Sequence, residues 1–216
     1  MMVSLWRSLV PVLAMGAVIL TSNKLVQHPV HGYLWGIDLA GILTWGAFTY
    51  PVAFLVTDTT NRLFGMGPAR QVVVVGFAFG VALTLIAALG IAASVSQSSS
   101  LSLWQTLFHD PDAFAMLRTA LASGTAFLAA QLLDIKVFDA LRQQAWWKAP
   151  AASSLIGSFI DTLIFFFLAF AGTGLPWVSW AAGDFCAKLL MIALLLYPFR
   201  LLVRMYPAPL RVSVGQ

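Results

Sequence analysis

Three ionisable residues lie inside stretches that are otherwise apolar enough to cross a bilayer: Asp161 in SSLIGSFIDTLIFFFLAF, and Asp184 with Lys188 in GDFCAKLLMIALLLYPF. A charge near the centre of a hydrocarbon span is disfavoured by roughly 2.5 to 3.5 kcal/mol, so such groups face a polar cavity, a partner or a solute. No Lys or Arg lies within four residues of Asp161, so it must be protonated, paired with another helix, or paired with a ligand. Asp184 and Lys188 are four apart on one helical face and form either a structural ion pair or part of a shared polar site with Asp161. If Asp184 takes Lys188, Asp161 keeps its acceptor oxygens free for a solute. A carboxylate can accept two adjacent N–H donors, and an ammonium can donate to a carbonyl.

Other residues fall at matching depths. Ser154, Gly157, Asp161, Phe165 and Leu168 recur at helical spacing, giving one stripe with small residues on one side of the acid and an aromatic on the other. Trp45 and Phe48, in Thr44-Trp-Gly-Ala-Phe-Thr-Tyr-Pro51, can present flat faces at the depth of Asp161, or can simply face lipid or core. Pro51 should kink their helix. Asn23, near the outer end of the first span, adds a hydrogen-bonding group or merely caps its helix.

These side chains need long apolar elements to hold them. The 216 residues are 60% hydrophobic and 9% charged, with a mean hydropathy of +0.88, whereas a soluble domain is about 25% charged. The chain is therefore read as an integral membrane protein. Its apolar stretches, approximately 9–25, 40–56, 71–93, 113–135, 151–171 and 177–199, each approach the length of about 20 residues that a crossing needs. Continuous runs favour helices over the alternating segments of a barrel. The fold class is an all-α membrane protein, a bundle of six transmembrane helices in a single domain. Arg7 and the following apolar run resemble a signal peptide, but the run continues without a small-residue cleavage site and is read as a retained first helix.

In a six-span arrangement, Arg7, Arg62, Arg70, Lys136, Arg142, Lys148, Arg200, Arg204 and Arg211 fall on one side. That side is expected to be the cytoplasm, with both termini on it. The net charge of +4 comes from these flanking residues, so it serves topology and the lipid bilayer rather than nucleic acid. Two groups of three helices admit a 3+3 inverted repeat, of which Asn23-Lys24 and Asp134-Ile-Lys136 are a faint trace. On the cytoplasmic side, Asp58 and Arg62 are spaced to pair, as are Lys136 and Asp139; together with Gln131 and Asp134 such groups either finish helices or form an inner gate.

Gly76-Phe-Ala-Phe-Gly80 allows close helix approach, within the chain or in a homodimer. The loop 27–36 reads as a membrane-surface loop or a lid, anchored by Tyr33 and Trp35, and 96–108 suits a short helix on the outer surface.

Enzyme chemistry is not supported. An intramembrane serine protease built on Ser158 would need an embedded base, and His28, His31 and His109 all fall in outer loops. No GxxxxGK[ST] motif is present, and the single Cys186, read as a small core residue, excludes an internal disulfide or a cysteine metal cluster. No cofactor or metal is expected.

Several segments together resemble the queuosine precursor transporter family. They are Thr21 to Gln27, Thr44-Trp-Gly-Ala-Phe48, Phe54-Leu-Val-Thr-Asp58 with Phe64-Gly65, Gln131-Leu-Leu-Asp134, Trp146-Trp147, Asp161-Thr162 with Phe165-Phe-Phe167, and Asp184 with Lys188. The resemblance implies a six-helix protein of the bacterial inner membrane that imports 7-cyano-7-deazaguanine, or its aminomethyl analogue, for tRNA modification. It fits a nucleobase-like small molecule held by Asp161, stacked on Trp45 or Phe48, with Asn23, Phe165, Asp184 and Lys188 around it. The alternative is a substrate-capture subunit that needs a separate energising complex. Asn61 and the absence of Glu depart from an acidic position after the second span.

Overall fold

The computed structural model of the chain describes residues 2–26, 28–34, 36–95 and 111–206. The surface helix expected over 96–108, His109, Trp35 and Arg211 lie outside the described residues. Helix α1 (Met2–Leu25) leads into a two-stranded antiparallel hairpin, β1 (Tyr33–Leu34) and β2 (Ile37–Asp38), and then a 3-10 turn (Leu39–Gly41). Helices α2 (Gly46–Thr49), α3 (Pro51–Phe64), α4 (Met66–Val95), α5 (Pro111–Leu141), α6 (Lys148–Phe170) and α7 (Trp177–Met205) follow.

Four of the described helices are long and apolar enough to cross a membrane: α4 through Met66–Leu83, α5 through Arg118–Leu141, α6 and α7. The stretch Leu9–Leu25 of α1 is a shorter apolar helix. The second expected span, 40–56, is not one continuous helix. Its first residues run as the 3-10 turn and an irregular segment bridged to Pro29 at Thr44, and helix begins only at Gly46. Pro51 then divides α2 from α3, because it lacks an N–H and its ring crowds the carbonyl four residues back; the same residue suits the first turn of α3. At its other end α3 stops on Gly65, whose φ of 89° is left-handed and whose N–H closes back on the Asn61 carbonyl at 2.9 Å.

Helices in lipid gain little from the hydrophobic effect against one another and associate by close packing. Between α1 and α4 the packing is knob against glycine: a Cβ at Gly76 would stand 2.6 Å from Met15 Cβ, and one at Gly80 2.8 Å from Ile19 Cβ. The glycine pair is therefore used within the chain. Met15 and Ile19 continue into a buried cluster with Ala53, Val72, Val73, Phe127 and Ile135, which joins α1, α3, α4 and α5. A second cluster, Phe138 edge-on to Phe199 with Ala149, ties the ends of α5, α6 and α7. Large apolar side chains also cover the outside, among them Phe159, Leu163 and Phe167 on α6 and Leu190, Leu194 and Leu201 on α7, the face that lipid would cover.

Helices α5 and α6 run antiparallel in contact along their lengths. Arg118 on α5 donates to the carbonyls of Leu168 and Ala171 at 2.7 Å each, so a cation closes the carboxyl end of α6.

Candidate functional site

Asp161 sits halfway along α6, and Lys188 faces it from α7. The ammonium lies 2.7 Å from Asp161 Oδ2, 2.6 Å from Asp184 Oδ2 and 3.0 Å from Thr162 Oγ1, and Thr162 donates to Asp184 at 2.9 Å. Lys188 is buried, and its three acceptors match the three donors of an ammonium. This corrects the expectation that pairing with Asp184 leaves Asp161 free. A buried cation is tolerated only when its donors are met, and its own helix supplies one carboxylate while α6 supplies the other. The cluster carries two carboxylates and one ammonium, a formal charge of −1 if both acids are ionised.

Tyr50, at the break between α2 and α3, lies within electrostatic reach of Asp161, Lys188 and Asp184. Its hydroxyl donates to Asn23 Oδ1 at 2.7 Å and meets Ser123 Oγ at 3.3 Å, so α1, α3 and α5 converge on it. Asn23 is thereby joined to the neighbourhood of the acids through a residue that sequence reasoning did not single out. Thr162 was missed in the same way, although it stands beside Asp161. The signal available for Tyr50 was its place directly before Pro51, where a broken helix turns a side chain inward.

The proposed aromatics divide. Trp45 and Phe48 pack on each other with ring centroids 5.9 Å apart at 51°, and Trp45 is 50% exposed. Among the described residues no hydrogen bond ties Trp45 to the acids. Their segment is nonetheless close to α7, because the carbonyl of Ile42 lies 3.3 Å from a Cβ built on Gly183, next to Asp184. Phe165 belongs to an edge-to-face cluster with Phe166 and Phe170 beyond the acid. The stripe expected through Asp161 and Leu168 is rotated: the buried face of α6 runs through Ser154, Ser158, Thr162, Phe166 and Ala169, while Leu168 is exposed. Cys186, expected in the core, is exposed as well.

A second polar layer lies roughly two turns along α6, about 10 Å at 1.5 Å per residue. Here the candidates Asp58, Gln131 and Asp134 come together, buried. Thr57 donates to Gln131 Oε1 at 2.6 Å, and Ser153 and Ser154 each donate to Asp58 at 3.1 Å. Asn61 donates to the Ile135 carbonyl at 3.0 Å and accepts from Arg142 on both its backbone and side-chain oxygens. Two expected pairings are not made. Asp58 bonds the serines of α6 rather than Arg62, which donates to the Arg142 carbonyl at 2.6 Å; Asp139 pairs with Arg142 at 3.1 Å rather than with Lys136. Helix crossing decides the first, since the neighbouring helix brings two hydroxyls to Asp58, whereas Asp139 finds its cation three residues further along its own segment.

A bundle of long apolar helices that buries charge between its members, with the exterior apolar, defines a multi-pass membrane protein. The family model described as "Putative vitamin uptake transporter" matches residues 44–203, and the chain belongs to that family. It is 38% identical over 203 residues to the "Queuosine precursor transporter" of Escherichia coli (strain K12), covering 89% of this chain and 82% of that one. A "Probable queuosine precursor transporter" of Haemophilus influenzae is 35% identical over 193 residues, covering 84% and 79%. One of the same description from Bacillus subtilis is 32% identical over 142 residues, covering 63% and 60%. These relatives are transporters, not enzymes. No solved structure matches the chain.

Proposed function

We propose that this chain imports 7-cyano-7-deazaguanine, and its aminomethyl analogue, across the bacterial inner membrane. The observation that carries the reading is the cluster of Asp161, Asp184, Thr162 and Lys188 buried between α6 and α7. With both acids ionised, its surplus negative charge favours a guest rich in N–H donors. A deazaguanine offers adjacent N–H groups for a carboxylate and a carbonyl for an ammonium, so it can exchange places with Lys188 on Asp161 while Lys188 turns to the carbonyl. Trp45, Phe48 and Phe165 are the surfaces on which its ring would stack, and Asn23 with Tyr50 would complete the polar wall. The relatives' names agree with a substrate of this kind.

The reading includes six crossings, both termini in the cytoplasm, a 3+3 inverted repeat, and an inner gate of Asp58, Arg62, Gln131 and Asp134. Uptake of labelled 7-cyano-7-deazaguanine into vesicles containing only this protein tests it. Uptake is expected. Binding without uptake would instead identify a capture subunit that needs an energising complex. Asp161→Asn and Asp161→Ala proteins that express normally and still transport would remove the site.

A further inference from the structure

Asp58 and Asp134 form a carboxyl pair with no cation. Asp134 is fully buried on α5 in the same layer as Asp58, between Gln131, which accepts from Thr57, and Ile135, whose carbonyl accepts from Asn61, and neither of its oxygens has a hydrogen-bond partner. Asp58 is 2% exposed and has only the hydroxyls of Ser153 and Ser154. Among the described residues no Lys or Arg forms an ion pair with either acid. Arg62 on α3 reaches the Arg142 carbonyl, Arg142 directly after α5 holds Asn61 and Asp139, and Lys188 on α7 is held by Asp161 and Asp184. Arg118 on α5 caps the far end of α6. The remaining cations on the packed elements whose side chains are described, Lys24 on α1, Arg70 on α4, Lys136 on α5, Lys148 on α6, and Arg200 and Arg204 on α7, are exposed.

Two carboxylates in one buried layer without a cation cannot both be ionised at tolerable cost. A proton between them removes one charge and supplies the missing donor. Among the described residues no third His, Cys, Asp or Glu joins them to hold a metal ion. We propose that Asp58 and Asp134 share a single proton, and that this proton is the ion coupled to transport.

Two further observations support a coupling role. A cleft of about 20 Å³, bordered by Asp58, Ser154, Leu55, Pro150 and Phe199, has room for one water beside Asp58, a carrier that could bring it a proton. On α6, Ser154, Ser158 and Thr162 follow one another at four-residue spacing. Ser154 donates to Asp58, Thr162 belongs to the Lys188 cluster, and Ser158 between them is fully buried with its hydroxyl unpartnered. One face of one helix thus carries groups of both polar layers, so a change of charge at the acid pair bears on the helix that holds Asp161.

The coupling half of this proposal rests on the substrate reading; the proton half does not. Infrared difference spectroscopy of the purified full chain, without substrate, should show the carbonyl stretch of a protonated carboxylic acid at neutral pH. That band should shift or vanish in both Asp58→Asn and Asp134→Asn. Its absence from the wild type, or its persistence unchanged in either variant, would overturn the shared proton. In vesicles, an inward proton gradient should accelerate uptake of labelled 7-cyano-7-deazaguanine severalfold, and both variants should lose that acceleration. Acceleration by sodium instead, no response to the gradient, or a response surviving in both variants would overturn the coupling. A wild type with the expected band but no uptake under any gradient would sink the substrate reading and leave the proton site standing.

Discussion

Lys188 Nζ on α7 stands 2.7 Å from Asp161 Oδ2 on α6, and the same nitrogen is 2.6 Å from Asp184 Oδ2 one turn back along its own helix. One ammonium therefore joins two helices and answers two acids. Its removal should be more damaging than removal of either acid. Lys188→Met should destabilise the protein by about 3 to 5 kcal/mol, because it leaves buried carboxylates without a counter-charge. Thermal unfolding in detergent checks this, and Asp161→Asn added to Lys188→Met should recover part of the loss.

Asp161→Asn alone should behave differently. Asp184 and Thr162 remain to hold Lys188, so the fold should survive, but the carboxylate that accepts the guest's N–H donors is gone. Affinity for labelled 7-cyano-7-deazaguanine should fall tenfold or more, equivalent to about 1.4 kcal/mol. Equilibrium binding to the purified variant measures it, and unchanged affinity would dismiss Asp161 as a contact.

Tyr50→Phe removes the hydroxyl that bonds Asn23 and Ser123 while keeping the ring. Stability should drop by about 1 kcal/mol, the net value of a hydrogen bond of this kind. An Asn23→Ala, Tyr50→Phe double variant should lose less than the sum of the single losses if the two groups act on each other.

At Arg142 the issue is an orphaned acceptor. The guanidinium serves both the backbone and side-chain oxygens of Asn61 and pairs with Asp139. Arg142→Ala should cost about 1 to 3 kcal/mol by stripping the buried Asn61 amide oxygen of its donor. Arg142→Lys should restore only part of it, since an ammonium lacks the planar fork that spans these partners. Chemical unfolding of the three proteins side by side decides the matter.

The α1–α4 interface offers a packing test. Gly80→Leu should destabilise by about 1 to 3 kcal/mol, because Ile19 already occupies the space. Combining it with Ile19→Ala should relieve much of the clash, and the double-mutant cycle gives the coupling directly.

The membrane class was legible from long apolar runs, and the boundaries of α6 and the start of α7 fell close to the stretches 151–171 and 177–199, while α7 runs on to Met205; the length of an apolar run and the spacing of its polar residues are local properties. The candidates Asp161, Asp184 and Lys188 could be named for the same reason: a charge within a hydrocarbon span is conspicuous in one dimension. The second span was misjudged at its start, where apolar composition continues through 40–45 but the backbone is tied to Pro29 and His28 instead of forming helix.

Pattern along one dimension was enough to place the chain in a bilayer, to mark the residues that are costly there, and to reveal the likeness to transporters. Packing between distant helices settles that Lys188 takes both acids, that Thr162 joins them, that Tyr50 ties Asn23 to Ser123, that Asp58 turns to Ser153 and Ser154, and that Asp134 has no donor from the protein. The reason is physical. Hydropathy and helical period say which residues share a face, but a buried charge is satisfied by whichever neighbouring helix brings a partner within about 3 Å, and that depends on rotation and crossing between segments far apart in the chain.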